Sequence, residues 1–273
     1  MDLRLKTNAS IIFAFMIINY KNSKIHYTKT GKGETIVLLH GFLESLEMWN
    51  DFVPHLAKKH QVICVDLLGH GKTDCIGYVH TMEDMAASVY EVLKFNKVKT
   101  AHFIGHSMGG YVSLAFAEKH PEFFKGLCLL NSSYDADDNE RKLIRSRACK
   151  MAKMNYKVLV NMSFSNLFTE ESKRKFENEY NKALQLALQT PIQGYIAAQE
   201  GMTLRPNRFE LFKNLNAKKL IIIGKKDGLI NSKQVINEIK ESNIEYVEFS
   251  EGHMSSIENK SELSYTLLRF IEK

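Results

Sequence analysis

The chain has 273 residues, of which 44% are hydrophobic and 25% are charged, and its formal net charge is +6. This length and composition suit one α/β domain that carries an insertion, and they exclude a disordered chain. Basic and acidic residues are interspersed and no nucleic-acid motif occurs, so no nucleic-acid partner is expected.

The first predicted element is a pair of strands near the N-terminus. Residues 15–31 read FMIINYKNSKIHYTKTG, which is two β-rich runs around a polar turn at Lys21–Lys24. The apolar run at 11–18 is shorter than the ~20 residues that cross a bilayer, so stable membrane insertion is not expected. Met16 is a candidate start, which makes residues 1–15 a candidate N-terminal extension that folding does not require.

Short apolar runs then alternate with helical patterns. Runs rich in aliphatic and β-branched residues are typical of strands buried in a parallel sheet. Strand–helix alternation therefore predicts an α/β fold with a mostly parallel, doubly wound sheet. The predicted strands are 35–41, 61–69, 100–105, 126–131, 219–227 and 244–253, and the predicted helices are 48–60, 81–96, the stretch after Ser107, 231–242 and 257–272.

The alternation stops between Asn131 and about Asn214. That stretch is charged, rich in Lys, Asn, Phe and Met, and has no run that resembles a buried strand. A loop of that length is rare, so the stretch needs helices of its own. The sequence predicts that residues 134–213 form a helical cap, inserted into an α/β core of residues 16–133 and 214–273.

The four cysteines carry information about metal and redox chemistry. They form neither a CxxC pair nor a Cys/His metal spacing, so no metal site is expected. Cys64 and Cys128 lie inside apolar strand-like runs, where a thiol behaves as a small hydrophobic group. This usage favours a reduced, cytoplasmic protein over a secreted one with disulfides.

A serine ringed by glycines stands where a predicted strand becomes a predicted helix. The stretch Gly105-His106-Ser107-Met108-Gly109 has the G-x-S-x-G spacing of a nucleophile elbow. Gly105 and Gly109 permit the sharp turn that lifts the hydroxyl of Ser107 away from its own backbone. Ser107 is therefore the candidate nucleophile.

The developing negative charge of an attacked carbonyl needs backbone donors. The N–H of Met108 lies at the first turn of the helix, where the helix dipole favours an anion. A second donor is the N–H of Phe42, which follows the strand 35–39 in the sequence His40-Gly41-Phe42. His40 itself is interpreted as a structural residue of that loop.

The base and the acid are predicted at the carboxyl ends of the last two strands. His253 follows the last strand through Gly252 and is the candidate general base. Asp227 follows the apolar run Leu220–Ile223 in an isolated turn and is the candidate carboxylate that orients the imidazole. Three further acids follow the strand 126–131 and compete with Asp227 for this role, although they resemble acids at a helix N-terminus. These competitors are Asp135, Asp137 and Asp138.

These motifs together resemble the α/β-hydrolase fold superfamily, in its small, capped branch of serine esterases. The resemblance covers about residues 17–272. It rests on the loop after the first parallel strand, the stretch DLLGHGKTD, the elbow, and the residues around the acid and the base. Thr73 replaces the usual serine of the DLLGHGKTD stretch, which is interpreted as structural. Because relatives that act on haloalkanes or epoxides use an aspartate nucleophile, Ser107 argues against both activities.

The resemblance implies a serine hydrolase that cleaves a carboxylic ester or thioester through an acyl-enzyme on Ser107. No metal or organic cofactor is needed for this chemistry. The expected partner is a small-molecule ester or thioester, and the basic stretch 141–153 also suits an acyl carrier or a coenzyme A thioester. Two alternatives stay open, namely a lyase of the menaquinone-pathway type that uses the same triad, and a weakly catalytic receptor for a small ligand.

Overall fold

The computed structural model describes residues 14–272, which contain one eight-stranded sheet. Its strand order is β1-β2-β4-β3-β5-β6-β7-β8, with β1 and β2 as an antiparallel hairpin and β3 to β8 parallel to one another. The predicted mostly parallel α/β sheet is confirmed. The strands are β1 (Ala14–Tyr20), β2 (Ser23–Thr30), β3 (Thr35–Leu39), β4 (Gln61–Val65), β5 (Ala101–His106), β6 (Phe124–Leu130), β7 (Lys218–Gly224) and β8 (Glu245–Phe249).

Residues 1–13 of the predicted N-terminal extension lie outside the described residues. The last two residues of that extension already belong to β1, where Ala14 pairs with Lys29 and Phe15 pairs with Thr28. The hairpin predicted from the sequence therefore begins before Met16.

Helices cover the sheet and fill the segment between β6 and β7. Thr81 starts α2 as predicted, since its hydroxyl accepts a hydrogen bond from the Asp84 N–H at 3.0 Å. The helices are α1 (Val53–Leu56), α2 (Met82–Phe95), α3 (Met108–Lys119), α4 (Asn139–Ser165), α5 (Glu170–Lys175), α6 (Glu177–Ala187), α7 (Ile192–Leu204), α8 (Phe209–Asn214), α9 (Ser232–Ile239), α10 (Ser255–Glu258) and α11 (Lys260–Glu272).

The predicted helix at 48–60 is wrong. A 3₁₀ turn at Leu46–Trp49 and the four-residue α1 take its place. Pro54 explains the break, because proline has no N–H to donate and is tolerated only in the first turn of a helix. The chain therefore starts a new helix at Val53, which places Pro54 in the first turn of that helix.

Successive side chains of a strand point to opposite faces of the sheet, and β3 shows this directly. Val37 and Leu39 join a hydrophobic cluster with side chains of α2 and α3. Ile36 and Leu38 join a second cluster on the other face, with side chains of α11 and with the chain's single tryptophan, Trp49. The sheet is thus covered on both faces, which is the doubly wound arrangement.

The described residues between β6 and β7 form five helices, α4 to α8, and no strand. A third hydrophobic cluster lies here, with Phe164 and Tyr195 among its buried members. Phe212 of α8 instead packs into the first cluster, together with side chains of α2 and α3. The limits of the cap at 134 and 213 stay a prediction. Within residues 14–272, no helix is both long and apolar enough to cross a membrane.

The parallel strands bring their carboxyl ends to one edge of the sheet, which is where sites form in such folds. Phe42 follows β3, Ser107 follows β5 and Asn131 follows β6. Asp227 follows β7, and His253 follows β8. Five residues from distant parts of the sequence thus converge at this edge.

Candidate active site

Ser107 lies in a sharp turn between β5 and α3, with φ +47° and ψ −115°. Positive φ is rare for a residue with a side chain. The flanking glycines make the turn sterically feasible. A Cβ on Gly105 would lie 2.5 Å from the Gly110 nitrogen, and one on Gly109 would lie 2.7 Å from the His40 carbonyl oxygen. Glycine is therefore needed at both positions, because the backbone of another segment lies where a side chain would be.

The structure brings the three predicted catalytic side chains together in one hydrogen-bonded row. The Ser107 Oγ lies 3.0 Å from His253 Nε2, and His253 Nδ1 lies 2.8 Å from Asp227 Oδ2. An ionised Asp227 can only accept a hydrogen bond, so His253 Nδ1 carries a proton. In a neutral imidazole, Nε2 is then free to accept the hydrogen of the Ser107 hydroxyl. This tautomer suits a general base acting on Ser107.

The side chain of Asp227 is buried, and its carboxylate accepts hydrogen bonds from several groups. Its carboxylate also accepts hydrogen bonds from the backbone N–H groups of Leu229 at 2.8 Å and Ile230 at 3.1 Å, and Asn131 Nδ2 lies 3.3 Å away. Burial alone would raise the pKa of Asp227. The neighbouring His253 and these donors outweigh burial and hold the pKa of the carboxyl below its ordinary value. Asp227 is therefore ionised at neutral pH.

The three competing acids form contacts with residues other than His253. Asp138 caps α4, since its side chain accepts from the Arg141 N–H at 2.7 Å. Asp137 is buried between two guanidinium groups and forms ion pairs with Arg145 at 2.5 Å and Arg205 at 2.8 Å. Asp135 accepts hydrogen bonds from Ser133 and Asn207. Among the described residues, none of the three is hydrogen-bonded to His253.

The loop after β3 lies beside the elbow. A Cβ on Gly41 would be 3.3 Å from the Ser107 Cβ, so this loop passes close to the candidate nucleophile. Phe42, Ser107 and His253 line the same cavity. Met108 is the first residue of α3, where a backbone N–H has no acceptor within the helix. The residues predicted as backbone donors, Phe42 and Met108, thus both lie beside Ser107.

His40 fastens this loop to the next strand. Its Nε2 accepts the Leu67 N–H at 2.9 Å, so its Nδ1 carries the proton and donates to the Gly41 carbonyl at 2.7 Å. Burial lowers the pKa of His40 and keeps the ring neutral. These contacts agree with the structural role that the sequence suggested.

The DLLGHGKTD stretch also makes structural contacts. Asp66 accepts hydrogen bonds from the Leu46 N–H at 2.8 Å and the Lys72 N–H at 2.9 Å, and it lies 2.6 Å from His26 Nδ1. Thr73 accepts a hydrogen bond from the backbone of His26 at 2.9 Å, so the threonine serves where a serine is usual.

A buried ion pair behind the elbow was missed by the sequence reasoning. Glu44 Oε2 lies 2.6 Å from His106 Nδ1 and accepts the Gly41 N–H at 2.6 Å. His106 Nε2 donates to the His253 carbonyl oxygen at 3.1 Å. His106 therefore donates from both ring nitrogens and is a cation. The pair connects the loop after β3, the elbow and the loop that carries the candidate base.

The electrostatics of this pair agree with its hydrogen bonds. Burial opposes both charges, but the partner charge outweighs it. As a result the pKa of Glu44 is lowered and that of His106 is raised. The signal in the sequence was weak, because Glu44 and His106 are 62 positions apart and each resembles an ordinary loop residue.

A cavity of about 430 Å³ opens above Ser107. Its walls are largely from the cap, including Ile144 and Arg145 of α4 and Tyr195 of α7. A hydrogen bond joins the two helices here, from Arg145 Nη1 to Gln199 Oε1 at 2.8 Å. Apolar and polar groups therefore both face the candidate nucleophile, as in sites for small molecules.

The basic stretch 141–153 is only partly exposed. Arg141 donates to the Leu229 carbonyl, and Arg145 is occupied by Asp137 and Gln199. Arg147 is exposed. Arg141 therefore joins the cap to the loop after β7, and Arg145 joins residues within the cap.

A family model described as the alpha/beta hydrolase fold matches residues 34–260. The chain therefore belongs to the α/β-hydrolase fold family, as the sequence motifs indicated.

Individual relatives show what the chain is similar to. It is 37% identical over 109 residues to YugF, an uncharacterized hydrolase of Bacillus subtilis, which covers 40% of each chain. It is 37% identical over 113 residues to the 2-hydroxy-6-oxononadienedioate/2-hydroxy-6-oxononatrienedioate hydrolase of Paraburkholderia phymatum, which covers 39% of each chain. The chain thus matches about two fifths of the length of these relatives.

A solved structure supports the fold over the whole chain. A thermophilic esterase from Thermogutta terrifontis superimposes with a TM-score of 0.87, covering 97% of this chain and 98% of the esterase. The sequence identity is 24%, so this likeness shows the fold alone.

Proposed function

We propose that this protein is a serine hydrolase that cleaves a carboxylic ester or thioester through an acyl-enzyme on Ser107. One observation carries the proposal: the continuous row Ser107 Oγ, His253 Nε2, His253 Nδ1 and Asp227 Oδ2, with gaps of 3.0 and 2.8 Å. A nucleophile, a base and an orienting carboxylate in this order are what covalent acyl transfer requires.

In the proposed reaction, His253 removes the proton of Ser107 as the hydroxyl attacks the substrate carbonyl. The backbone N–H groups of Phe42 and Met108 stabilise the oxyanion, a contribution worth ~10²–10³ in turnover per donor in a comparable enzyme. His253 then protonates the leaving alcohol or thiol. A water molecule, activated by His253, hydrolyses the acyl-enzyme and releases the acid.

The experiment that tests the proposal is labelling with a fluorophosphonate, which reacts with an activated serine. We expect the wild-type chain to be labelled and the Ser107→Ala variant to remain unlabelled. Ser163→Ala is the matched control, since Ser163 lines the same cavity but has Tyr195, not a histidine, as its hydrogen-bond partner. Unlabelled wild-type protein, or labelling that survives Ser107→Ala, contradicts the proposal.

A panel of p-nitrophenyl esters and acyl thioesters then separates the alternatives. Multiple turnover of short acyl chains supports the hydrolase. A single round of labelling without release supports a receptor, and an ester panel left intact by protein whose Ser107 still reacts with the fluorophosphonate favours a lyase. The thioester arm includes coenzyme A and acyl-carrier substrates, which the sequence raised as partners.

A second candidate function is hydrolysis of a carbon–carbon bond next to a carbonyl. The Paraburkholderia relative, named for a 2-hydroxy-6-oxo dienedioate, supports it through 37% identity over 113 residues. The same three side chains would serve this reaction. Turnover of such a dienedioate, with p-nitrophenyl esters left intact, would favour this candidate over the esterase.

A further inference from the structure

The net positive charge of the molecule is concentrated in one cap helix. Of the 37 Lys and Arg residues, seven lie in α4, and of the 31 Asp and Glu residues only Glu140 does. The rest of the chain therefore has 30 basic and 30 acidic residues, so the formal net charge of +6 equals the charge of α4 alone. No Asp or Glu occurs between Glu140 and Glu170.

Five of these cations face solvent. Four of them are lysines and one is Arg147, and within residues 14–272 none forms an ion pair with a carboxylate. The helix thus presents a positive surface that no carboxylate among the described residues pairs with. The five exposed cations are Lys142, Arg147, Lys150, Lys153 and Lys157.

The same helix also exposes large apolar side chains. Six apolar side chains of α4 are at least 41% exposed, and Met154 among them is 86% exposed. Soluble proteins expose single apolar side chains routinely, but a row of them on one helix indicates an interaction surface. The six residues are Leu143, Ile144, Met151, Met154, Val158 and Met162.

The two kinds of side chain form adjoining stripes. At about 100° of rotation per residue, Leu143, Ile144, Met151 and Met154 fall within an arc of about 100°, which also contains Arg147. The lysines at 142, 150 and 153 fall in a neighbouring arc of about 80°. The opposite side of α4, with Cys149 and Ala152, is buried against the rest of the cap. After Ala152 the helix kinks at Asn155, and Val158 and Met162 continue the exposed apolar row.

We propose that this exposed face of α4 is a docking surface for an anionic lipid membrane. An apolar stripe flanked by Lys and Arg is the pattern of helices that lie in the membrane interface without crossing it. The stems of the lysines can extend along the acyl boundary while their charges reach the headgroups. Each basic side chain adds attraction to an anionic leaflet.

The chemistry of the cations favours lipid over an acidic protein as the occupant. Arg suits paired, directional contacts with individual carboxylates, whereas Lys acts as a flexible point charge. Four of the five exposed cations are lysines, which suits a diffuse negative surface. The two arginines that make directional bonds, Arg141 and Arg145, are used inside the protein.

Docking would bring the cavity to the membrane surface. Ile144 is 55% exposed in the apolar stripe and also lines the cavity above Ser107. A docked α4 would therefore let a lipid-soluble substrate enter from the bilayer side. This consequence rests on the proposed hydrolase, but the docking itself does not.

The test measures binding of the full chain to vesicles by flotation. We expect binding to vesicles of phosphatidylglycerol and phosphatidylcholine, weakening with salt, and none to phosphatidylcholine alone. Replacing Lys150, Lys153 and Lys157 together by Gln should weaken binding roughly a hundredfold. Met154→Ser should weaken it several-fold even at low salt. The Ser107→Ala variant should bind vesicles as the wild type does. A failure of the proposed hydrolase chemistry is therefore distinguishable from a failure of membrane docking.

The matched control removes three exposed lysines from the opposite edge of the sheet. Lys58, Lys99 and Lys240 each precede a parallel strand, so their replacement by Gln changes the net charge equally but away from the cap. Absent vesicle binding, or equal loss in this control, overturns the proposal. So does a result in which the α4 lysines alter only turnover of acyl-carrier substrates, since that identifies an acidic protein as the partner.

Discussion

Ser107 occupies a backbone conformation that is costly for a residue with a side chain, and main-chain contacts hold it there. Its N–H donates to the Leu130 carbonyl at 2.9 Å. Its carbonyl oxygen accepts from the Ser132 hydroxyl at 2.7 Å and from the Gly110 N–H at 2.9 Å. Such strain persists only where the surroundings fix it. The position of the hydroxyl is therefore set by β6 and α3 and does not depend on a substrate.

The role proposed for Asp227 predicts a specific loss of activity in Asp227→Asn. An amide can donate to His253 Nδ1, which moves the proton to Nε2 and removes the acceptor for the Ser107 hydroxyl. We expect kcat to fall by roughly 10³–10⁴ with little change in KM. Asp135→Asn is the control and should stay within a few-fold of the wild type. Steady-state kinetics on a p-nitrophenyl ester measure both, and the assignment fails if Asp135→Asn is the crippled variant.

The Glu44–His106 pair predicts a stability that depends on pH in both directions. The lowered pKa of Glu44 gives a contribution that is present above the ordinary Glu pKa and is lost as pH falls through the lowered value. The raised pKa of His106 gives one that is present below the ordinary His pKa and is lost as pH rises through the raised value. The pair therefore stabilises most between these limits.

We accordingly expect Glu44→Gln to lower the free energy of unfolding by about 3–5 kcal/mol near pH 6, because it leaves a buried histidine without its counter-charge. The difference from the wild type should shrink toward both acid and alkaline pH. Urea unfolding at a series of pH values measures this. Glu47→Gln, at an exposed position three residues away, should have no effect. A pH-independent difference would contradict the ion pair.

At the scale of elements, the join of β5 to α3 depends on glycine at two positions. Gly109→Ala would push a methyl group against the His40 carbonyl oxygen, which belongs to a neighbouring strand end and cannot rotate away. We expect a loss of about 1–3 kcal/mol or more in unfolding free energy. Gly228→Ala is the control, since a Cβ there meets no atom within 4 Å. Equal stability of both variants in chemical denaturation would refute the packing argument.

Individual elements differ in how far the sequence predicts them. Strands β3 and β7 are continuous aliphatic runs, and burial on both faces produces such runs, so their positions could be predicted. The region 48–60 has a helical spacing of apolar residues, but Pro54 interrupts it and only short turns form. Periodicity reports which residues are buried. It does not report whether the backbone between them can stay helical.

At the scale of the whole molecule, the candidate site could be assembled from the sequence where topology alone decides proximity. Ser107, Asp227 and His253 each follow a parallel strand, and parallel strands end at one edge. Their side chains do lie within hydrogen-bonding distance, and their catalytic roles remain a proposal. Glu44 and His106 could not be paired in advance, because their contact depends on β3 lying next to β5.

The exposed apolar face of α4 could not be predicted from the sequence, for a different reason. Both sides of this helix carry apolar residues, so no pattern distinguishes the buried side with Ala152 from the exposed side with Met154. Tertiary packing decides which side faces the cap. A net charge of +6 likewise gives no location until the helix is placed.

The burial of Trp49 and Cys149 in different parts of the fold provides two separate reporters of unfolding. Trp49 packs against the sheet in the cluster that contains Ile36, Leu38 and side chains of α11, so its fluorescence follows the α/β core. Cys149 is buried in α4, and burial raises the pKa of its thiol to about 12, which keeps it unreactive while the cap is packed. Labelling at Cys149, resolved from the three other free cysteines, can thus time the loosening of the cap, while tryptophan emission records the unfolding of the sheet.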